Sequence, residues 1–200
     1  MSQKLNFPDA VPALLGDAVY LREPAEDDVP AWYERASDPE SAALAGDPIP
    51  ESMEMGVEWL RRNREGFRKQ TSIRWAIVLK GSSQSVGSIG LAITSAEERT
   101  ADLGVVIGRA YWGQGIGTSA GHLVIRFALD TLGLTEIRAE LLQSNLASRR
   151  MLEKLGFHLQ CTLPGFEQTD TDSQDGYRYV LQNPDDTAVV RQSNHRWRAG

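Results

Sequence analysis

Between a strand-like run, Thr100-Ala-Asp-Leu-Gly-Val-Val-Ile107, and an amphipathic stretch over residues 115–132, the chain reads Arg109-Ala-Tyr-Trp-Gly-Gln-Gly-Ile-Gly-Thr118. Three alternating glycines there exceed what a plain turn needs. Glycine lets a backbone approach a ligand closely, and the first turn of a helix offers unpaired N–H groups at the positive end of its dipole. The combination predicts a pyrophosphate cradle that needs no cationic side chain. Two rival phosphate readings fail in context. Gly115-Ile-Gly117-Thr-Ser-Ala120 nominally matches G-x-G-x-x-A, but residues 109–113 separate it from its strand. Too little chain then remains for the parallel strands of a dinucleotide fold. No Gly-Lys-Ser/Thr follows, which excludes a P-loop.

The flanking pattern sets the fold class. Gly16-Asp-Ala-Val-Tyr-Leu-Arg22 reads as a strand that Pro24 ends, and Asp27 or Asp28 as the cap of a first helix carrying Pro30, Trp32, Tyr33 and Ala36. Residues 51–69 read as a second helix, with Met55, Trp59, Leu60 and Phe67 at helical spacing. Its Arg61, Arg62, Arg64, Arg68 and Lys69 read as a solvated face rather than an anion site. The period then shortens, and residues 73–79, 85–94 and 100–107 predict an antiparallel meander turning at Gly81-Ser-Ser and Glu97-Glu-Arg. Ile116, Ala120, Leu123, Val124, Phe127 and Ala128 make one stripe of a helix over 115–132, with Gly133 as its C-cap. A strand over 136–142, a helix over 146–155 ending at Gly156, and a hairpin of 157–163 with 177–181 complete the chain's regular elements. Helices first, then a meander, then one strand–helix–strand–helix–strand passage predicts an α+β fold. Its central sheet is mixed, mostly antiparallel and flanked by helices. The expected organisation is an N-terminal extension over 1–16, one domain over 17–182, and a polar, poorly ordered tail over 183–200.

Composition excludes several functions. With 21 Lys+Arg against 27 Asp+Glu the net charge is −6, the wrong balance for neutralising nucleic-acid phosphates. One cysteine, Cys161, makes neither an internal disulfide nor a Cys-based zinc site; no metal is expected. No stretch approaches the roughly 18 apolar residues of a membrane span. Residues 1–15 hold one Lys and no apolar core, so no secretory leader is expected and the protein reads as cytoplasmic.

Two motifs carry a family resemblance. Trp112-Gly-Gln-Gly-Ile-Gly117, opening a helix, resembles the acyl-CoA loop of the GNAT N-acetyltransferase superfamily, Q/R-x-x-G-x-G/A. Some thirty residues on, Asn145-Leu-Ala-Ser148-Arg-Arg-Met-Leu-Glu-Lys-Leu-Gly156-Phe157 resembles its second signature. Tyr111-Trp-Gly, the Asn-x-x-Ser step and Leu-Glu-Lys-Leu-Gly-Phe are similar to the RimJ/RimL-type branch, ribosomal-protein N-terminal acetyltransferases and their relatives. The likeness covers residues 17–181 in element order and is sharp over 102–157.

The resemblance implies an acetyl-CoA-dependent N-acetyltransferase working by direct attack of a primary amine in a ternary complex. A protein N-terminal α-amine is the favoured acceptor, with a polyamine, aminoglycoside or amino acid as the alternative. A catalytically inactive CoA-binding sensor and a nucleotide-binding regulatory domain stand further off. It also implies a site in a V opened by two splaying parallel strands, residues 102–107 and 136–142. Trp112, Gly113, Gln114, Gly115, Ile116, Gly117 and Thr118 form the pyrophosphate loop, and the N–H groups from Gln114 to Thr118 do the holding. The edge at Val105, Val106 and Ile107 bonds the pantetheine amides and polarises the thioester carbonyl. Asn145 bonds the pantetheine arm or caps the following helix, or both. Ser148 meets the departing thiolate or is a plain helix hydroxyl. Asp102 is the implied general base or a salt-bridged polar residue. Glu97 and Glu98 fit a solvated turn, and His122, His158 and His195 offer no better case. Two departures stand out: Trp112 where much of the superfamily has Gln or Arg, and Leu152 where many relatives carry a tyrosine that protonates the thiolate. Glu167, Asp170, Asp172 and Asp175 make an acidic loop, either a solvated loop or a rim for a cationic acceptor. No nucleic-acid or membrane partner is expected; a homodimer is common in the resembled family.

Overall fold

The computed structural model describes residues 5–46, 48–168 and 173–184. Eight strands occur in chain order: β1 (Leu14–Leu15), β2 (Val19–Arg22), β3 (Ser72–Leu79), β4 (Ser85–Ser95), β5 (Thr100–Ile107), β6 (Glu136–Leu142), β7 (His158–Gln168) and β8 (Ser173–Gln182). Five helices accompany them: α1 (Val29–Ala36), α2 (Pro39–Ala45), α3 (Glu54–Arg68), α4 (Ile116–Arg126) and α5 (Leu146–Lys154). The strands form one sheet in the order β1-β2-β3-β4-β5-β6-β8-β7. Each described neighbour pair is antiparallel except β5 with β6, which are parallel and joined through α4. This is the mixed α+β architecture that the pattern predicts, with the meander β3–β4–β5 in the expected places.

Alternation along the strands decides which face is the core. Ile73, Trp75 and Ile77 of β3, Ile89 and Leu91 of β4, Leu103 of β5 and Ile137 of β6 share one buried cluster with Ala120, Leu123 and Val124 of α4. Each such aliphatic side chain contributes on the order of 1.5–3 kcal/mol on burial. Trp75 is fully buried, yet its indole N–H is satisfied by the Pro12 carbonyl at 2.8 Å, and its ring meets the Phe127 ring edge-on. Residues 5–16 contribute to this core: Leu5, Phe7, Val11 and Leu14 pack against it, and β1 extends the sheet beside β2.

Three local features depart from the expected pattern. The seven-residue helix α2 has no counterpart in the sequence reading, because it is too short to show a hydrophobic period. Its ends carry signals nonetheless: Asp38 accepts from the Ser41 N–H at 2.8 Å, Pro39 opens the helix, and Gly46 closes it at φ +67°. The helix expected over 115–132 is α-helical to Arg126, then π-helical over Phe127–Leu132, and ends at Gly133 with φ +81°. The closing hairpin is longer than expected, so Glu167 and Asp175 of the acidic loop lie in strands. Asp170, Asp172, His195 and the tail from residue 185 lie outside the described residues. The basic run of α3 is laced by ion pairs on the helix surface, Arg61 with Glu58 at 2.7 Å and Glu65 at 3.0 Å, and Lys69 with Glu65 at 2.8 Å, as a solvated face should be.

Candidate functional site

The β5–β6 ladder is short. Thr100 pairs with Glu136, Ala101 with Ile137 and Asp102 with Arg138, and there the pairing stops although both strands continue. Beyond Asp102, β5 keeps its β4 neighbour on one side, out to Ile107 opposite Gly87, while among the described residues no strand pairs with its other edge. Likewise β6 stays paired to β8 out to Leu142. The two strands therefore part as a V, whose walls are the glycine loop with α4 after β5 and the Asn145 turn with α5 after β6.

On the β5 side, a tight turn over Arg109–Tyr111 leads into the glycine loop. The Trp112 indole N–H donates to the Ile107 carbonyl at 2.7 Å, fastening the loop to the end of its strand. Gly113 and Gly115 both sit at positive φ, +73° and +76°, and a Cβ on either would meet no atom of the described residues within 4 Å. Their requirement is conformational, and the space above them is open. Gly117 differs: a Cβ there would stand 2.7 Å from Met151 Sδ. Gly121, one turn on, would come 2.5 Å from a Leu155 methyl. These two positions let α4 and α5 approach closely, so the three-glycine run serves two purposes.

Gly115 is the N-cap of α4 and the Ser119 N–H makes the first helical bond to its carbonyl at 2.9 Å. The N–H groups of Ile116, Gly117 and Thr118 precede that bond. Among the described residues no side chain caps this end, and its first turn carries no acidic residue. The Gln114 side chain folds back to the Ala110 carbonyl at 3.1 Å, away from a ligand role. This is an anion cradle made of backbone. Arg109, the cation nearest in sequence, is held by Glu40 at 2.8 Å and Asp38 at 3.5 Å.

On the β6 side, Asn145 is buried and caps α5: its Oδ1 accepts from the Ser148 N–H at 3.0 Å, while its Nδ2 donates to the Leu44 carbonyl at 3.3 Å. The capping alternative is thus present, and a pantetheine contact would have to share this side chain. Through Asn145 and Arg109, α2 is tied to both arms of the V, a link absent from the sequence reading. Ser148 is half-buried in the first turn of α5. Leu152 is 3% exposed and belongs to the core. Cys161 is exposed on the edge strand β7, two strands from β6 in the sheet order.

Asp102 stands at the throat, in register with Ala92 of β4 and Arg138 of β6. Burial pushes its carboxyl above the usual range and nearby Glu140 adds to this, against the pull of Arg138 and Arg178. The two arginines have partners of their own: Arg178 pairs with Glu140 at 2.6 Å and Arg138 with Glu136. Among the described residues no helix is long and apolar enough to cross a membrane.

An acyl-CoA donor suits these residues: the uncapped N–H row matches a pyrophosphate, and the open β5 edge matches an arm of amides. The uncharacterized N-acetyltransferase YoaA of Bacillus subtilis (strain 168) is 25% identical over 173 residues, covering 86% of this chain and 98% of YoaA. Two Vibrio cholerae structures share the fold. One is a protein proposed to be a ribosomal-protein-serine acetyltransferase, with TM-score 0.71, 18% identity and coverage of 85% of this chain and 97% of that one. The other is a spermidine N-acetyltransferase in complex with CoA and spermine, with TM-score 0.74, 15% identity and coverage of 83% and 96%. The acetyltransferase (GNAT) domain family matches residues 18–158, and the chain belongs to that family, an acetyl-CoA-dependent N-acetyltransferase.

Proposed function

We propose that this enzyme is a RimJ/RimL-type acetyltransferase of the cytoplasm that acetylates protein N-terminal α-amines. The observation that carries the donor side is the uncapped N-terminus of α4 beside the parted β5–β6 pair. Acetyl-CoA supplies an activated thioester. The N–H groups from Gln114 to Thr118 hold its pyrophosphate, with Trp112 and Gly113 setting the loop and Ile116 anchoring it in the core. The β5 edge at Val105, Val106 and Ile107 bonds the amide arm and polarises the thioester carbonyl. Asn145 closes the other wall.

Asp102 takes the proton that the acceptor ammonium must lose before its nitrogen lone pair attacks the thioester carbon. The C–S bond then breaks, the nitrogen's second proton passes to the departing thiolate, and the Ser148 hydroxyl hydrogen-bonds that sulfur. Leu152 has only a hydrocarbon side chain, so no proton comes from that position. The only cysteine lies on β7, which supports direct transfer without an acyl-enzyme.

Two points favour an α-amine. Holding a lysine-like amine neutral at pH 7 costs roughly 4–5 kcal/mol, an α-amine only about 1 kcal/mol. A single half-buried carboxylate suits the smaller task. The runs Tyr111-Trp-Gly and Leu-Glu-Lys-Leu-Gly-Phe, similar to those of the RimJ/RimL-type branch, support the same acceptor class. The test is calorimetric titration with acetyl-CoA, NAD serving as counter-ligand, on the wild type and on Gly115→Glu, followed by an acceptor screen. Acetyl-CoA binding that the glutamate abolishes, with turnover on peptide N-termini above small amines, is expected. Preference for spermidine would move the enzyme to the small-amine class. Binding without turnover on any amine would make it a sensor.

A further inference from the structure

On the sheet face opposite α4 the two walls of the V are unequal. Asp102 and Arg138 are the last pair of the β5–β6 ladder. One more pair on that face would set Gly104 opposite Glu140, because alternate residues of a strand point the same way. The strands part there instead. The first step from Asp102 toward the opening therefore has Glu140 on the β6 wall and no side chain on the β5 wall. The space over Gly104 is open: among the described residues, a Cβ there would meet only Arg74 Nη2 within 4 Å, at 3.9 Å. Arg74 reaches that point from β3, across Gly90, and has a partner of its own.

Glu140 is fixed through one oxygen and leaves the other unused. Arg178, its register partner on β8, donates from Nε at 2.8 Å and approaches with Nη2 at 2.6 Å, and both contacts fall on Oε1. Among the described residues Oε2 has no hydrogen-bond partner. Nor has the Asp102 carboxylate, since the arginines beside it, Arg138 and Arg178, are paired to Glu136 and Glu140. Strand spacing and two residues of rise put the Asp102 and Glu140 Cα atoms about 8 Å apart. Both carboxylates can then reach one nitrogen between them, with hydrogen bonds of about 2.9 Å.

We propose that the unused Glu140 oxygen holds one hydrogen of the acceptor amine while Asp102 takes another, so that primary amines are selected over secondary ones. Arg178 keeps Glu140 in place. This rests on the acetyltransferase reading of the site, with Asp102 as its base. A primary ammonium carries three hydrogens. One passes to Asp102, a second passes to the departing thiolate as the C–S bond breaks, and the third stays on the product amide nitrogen, bonded to Glu140. A secondary ammonium carries two, and both leave. Its transfer strands the Glu140 oxygen without a donor, which is how a polar site rejects a ligand that lacks the matching group.

The test is steady-state kinetics of wild type, Glu140→Gln and Glu140→Asp on two acceptor pairs. One pair is a short C-terminally amidated peptide with N-terminal alanine and its N-methylalanine counterpart; the other is propylamine and N-methylpropylamine. The glutamine keeps an oxygen for Arg178 and turns an amide NH2, which cannot accept, toward the amine. A hydrogen bond to a charged group is worth about 10-fold to 100-fold. In whichever pair turns over, the primary-over-secondary ratio of kcat/KM should fall by that factor in Glu140→Gln, chiefly through KM of the primary amine. Glu140→Asp should recover part of it. Melting temperature and acetyl-CoA affinity are measured alongside, so that a misfolded variant is recognised and Glu140→Asp then carries the comparison. A ratio unchanged in both variants, or an equal loss on both members of a pair, overturns the assignment. Failure of the wild type to bind acetyl-CoA, or full turnover by Asp102→Asn, would instead overturn the reading on which it rests, and this inference with it.

Discussion

The loop after β5 and the sheet face beside it meet at Asp102 but are made of different materials. The loop is backbone: left-handed glycines at 113 and 115, an uncapped helix start, and a tryptophan whose polar atom is spent on the Ile107 carbonyl. The face is side chains: Asp102, Arg138, Glu140 and Arg178, with Arg74 laid across Gly90 and Gly104. A donor common to many enzymes can be held by peptide groups that any sequence possesses, provided glycine permits the path. An acceptor is distinguished by the chemistry that only side chains supply.

This contrast predicts that substitutions on the face alter turnover and leave donor binding alone. The largest effect belongs to Asp102→Asn, which should lower kcat by about 10²- to 10⁴-fold, the usual worth of a general base, with acetyl-CoA affinity unchanged by calorimetry. The sign of the pH dependence comes from burial and Glu140 raising the carboxyl. As a base it acts when ionised, so kcat/KM should climb with pH along a limb above the ordinary aspartate range, and the asparagine variant should lack that limb. Stability runs the other way. A carboxyl raised in the fold binds its proton more tightly there than in the unfolded chain, so its contribution falls as pH rises from the ordinary value through the raised one. At pH 7 Asp102→Asn should therefore melt no lower than the wild type. A lower melting temperature would mark Asp102 as a structural ion-pair member.

How much was legible in the sequence obeys the same division. The loop and its helix could be read because glycine spacing is a local signal, and Gly113, Gly115 and Gly117 declare themselves in a five-residue window. Asn145 was legible for the same reason, as the residue before a helix. Even there the division of labour was hidden, since nothing local separates Gly117, which answers to Met151 on α5, from its two conformational neighbours. Arg74 was invisible. Its path across the sheet runs over Gly90 and Gly104, which lie sixteen and thirty residues away and are brought beside it only by the meander register. The link from α2 to Arg109 and Asn145 was lost likewise, because a seven-residue helix gives no period.

A smaller effect sharpens the view that Trp112 works by positioning. Trp112→Phe keeps an aromatic ring and removes the bond to the Ile107 carbonyl, a loss of about 1 kcal/mol. Acetyl-CoA affinity should weaken about fivefold, while kcat at saturating acetyl-CoA stays near the wild-type value. A large fall in kcat at saturation would mean that the indole touches the reacting groups.

The smallest effect is the one best able to break the comparison. Gln114 lies inside the glycine loop, between Gly113 and Gly115, and its N–H is among those proposed to hold the pyrophosphate. Its side chain is exposed and turned back on the Ala110 carbonyl. Gln114→Ala keeps the N–H, needs no left-handed backbone, and removes one exposed hydrogen bond, a change within about 0.5 kcal/mol. If the cradle is backbone, acetyl-CoA affinity measured by calorimetry should shift by less than about threefold, and kcat should not move. A tenfold or greater loss would show that a loop side chain grips the donor. The division between a backbone donor site and a side-chain acceptor face would then fail at the residue where it is most strictly drawn.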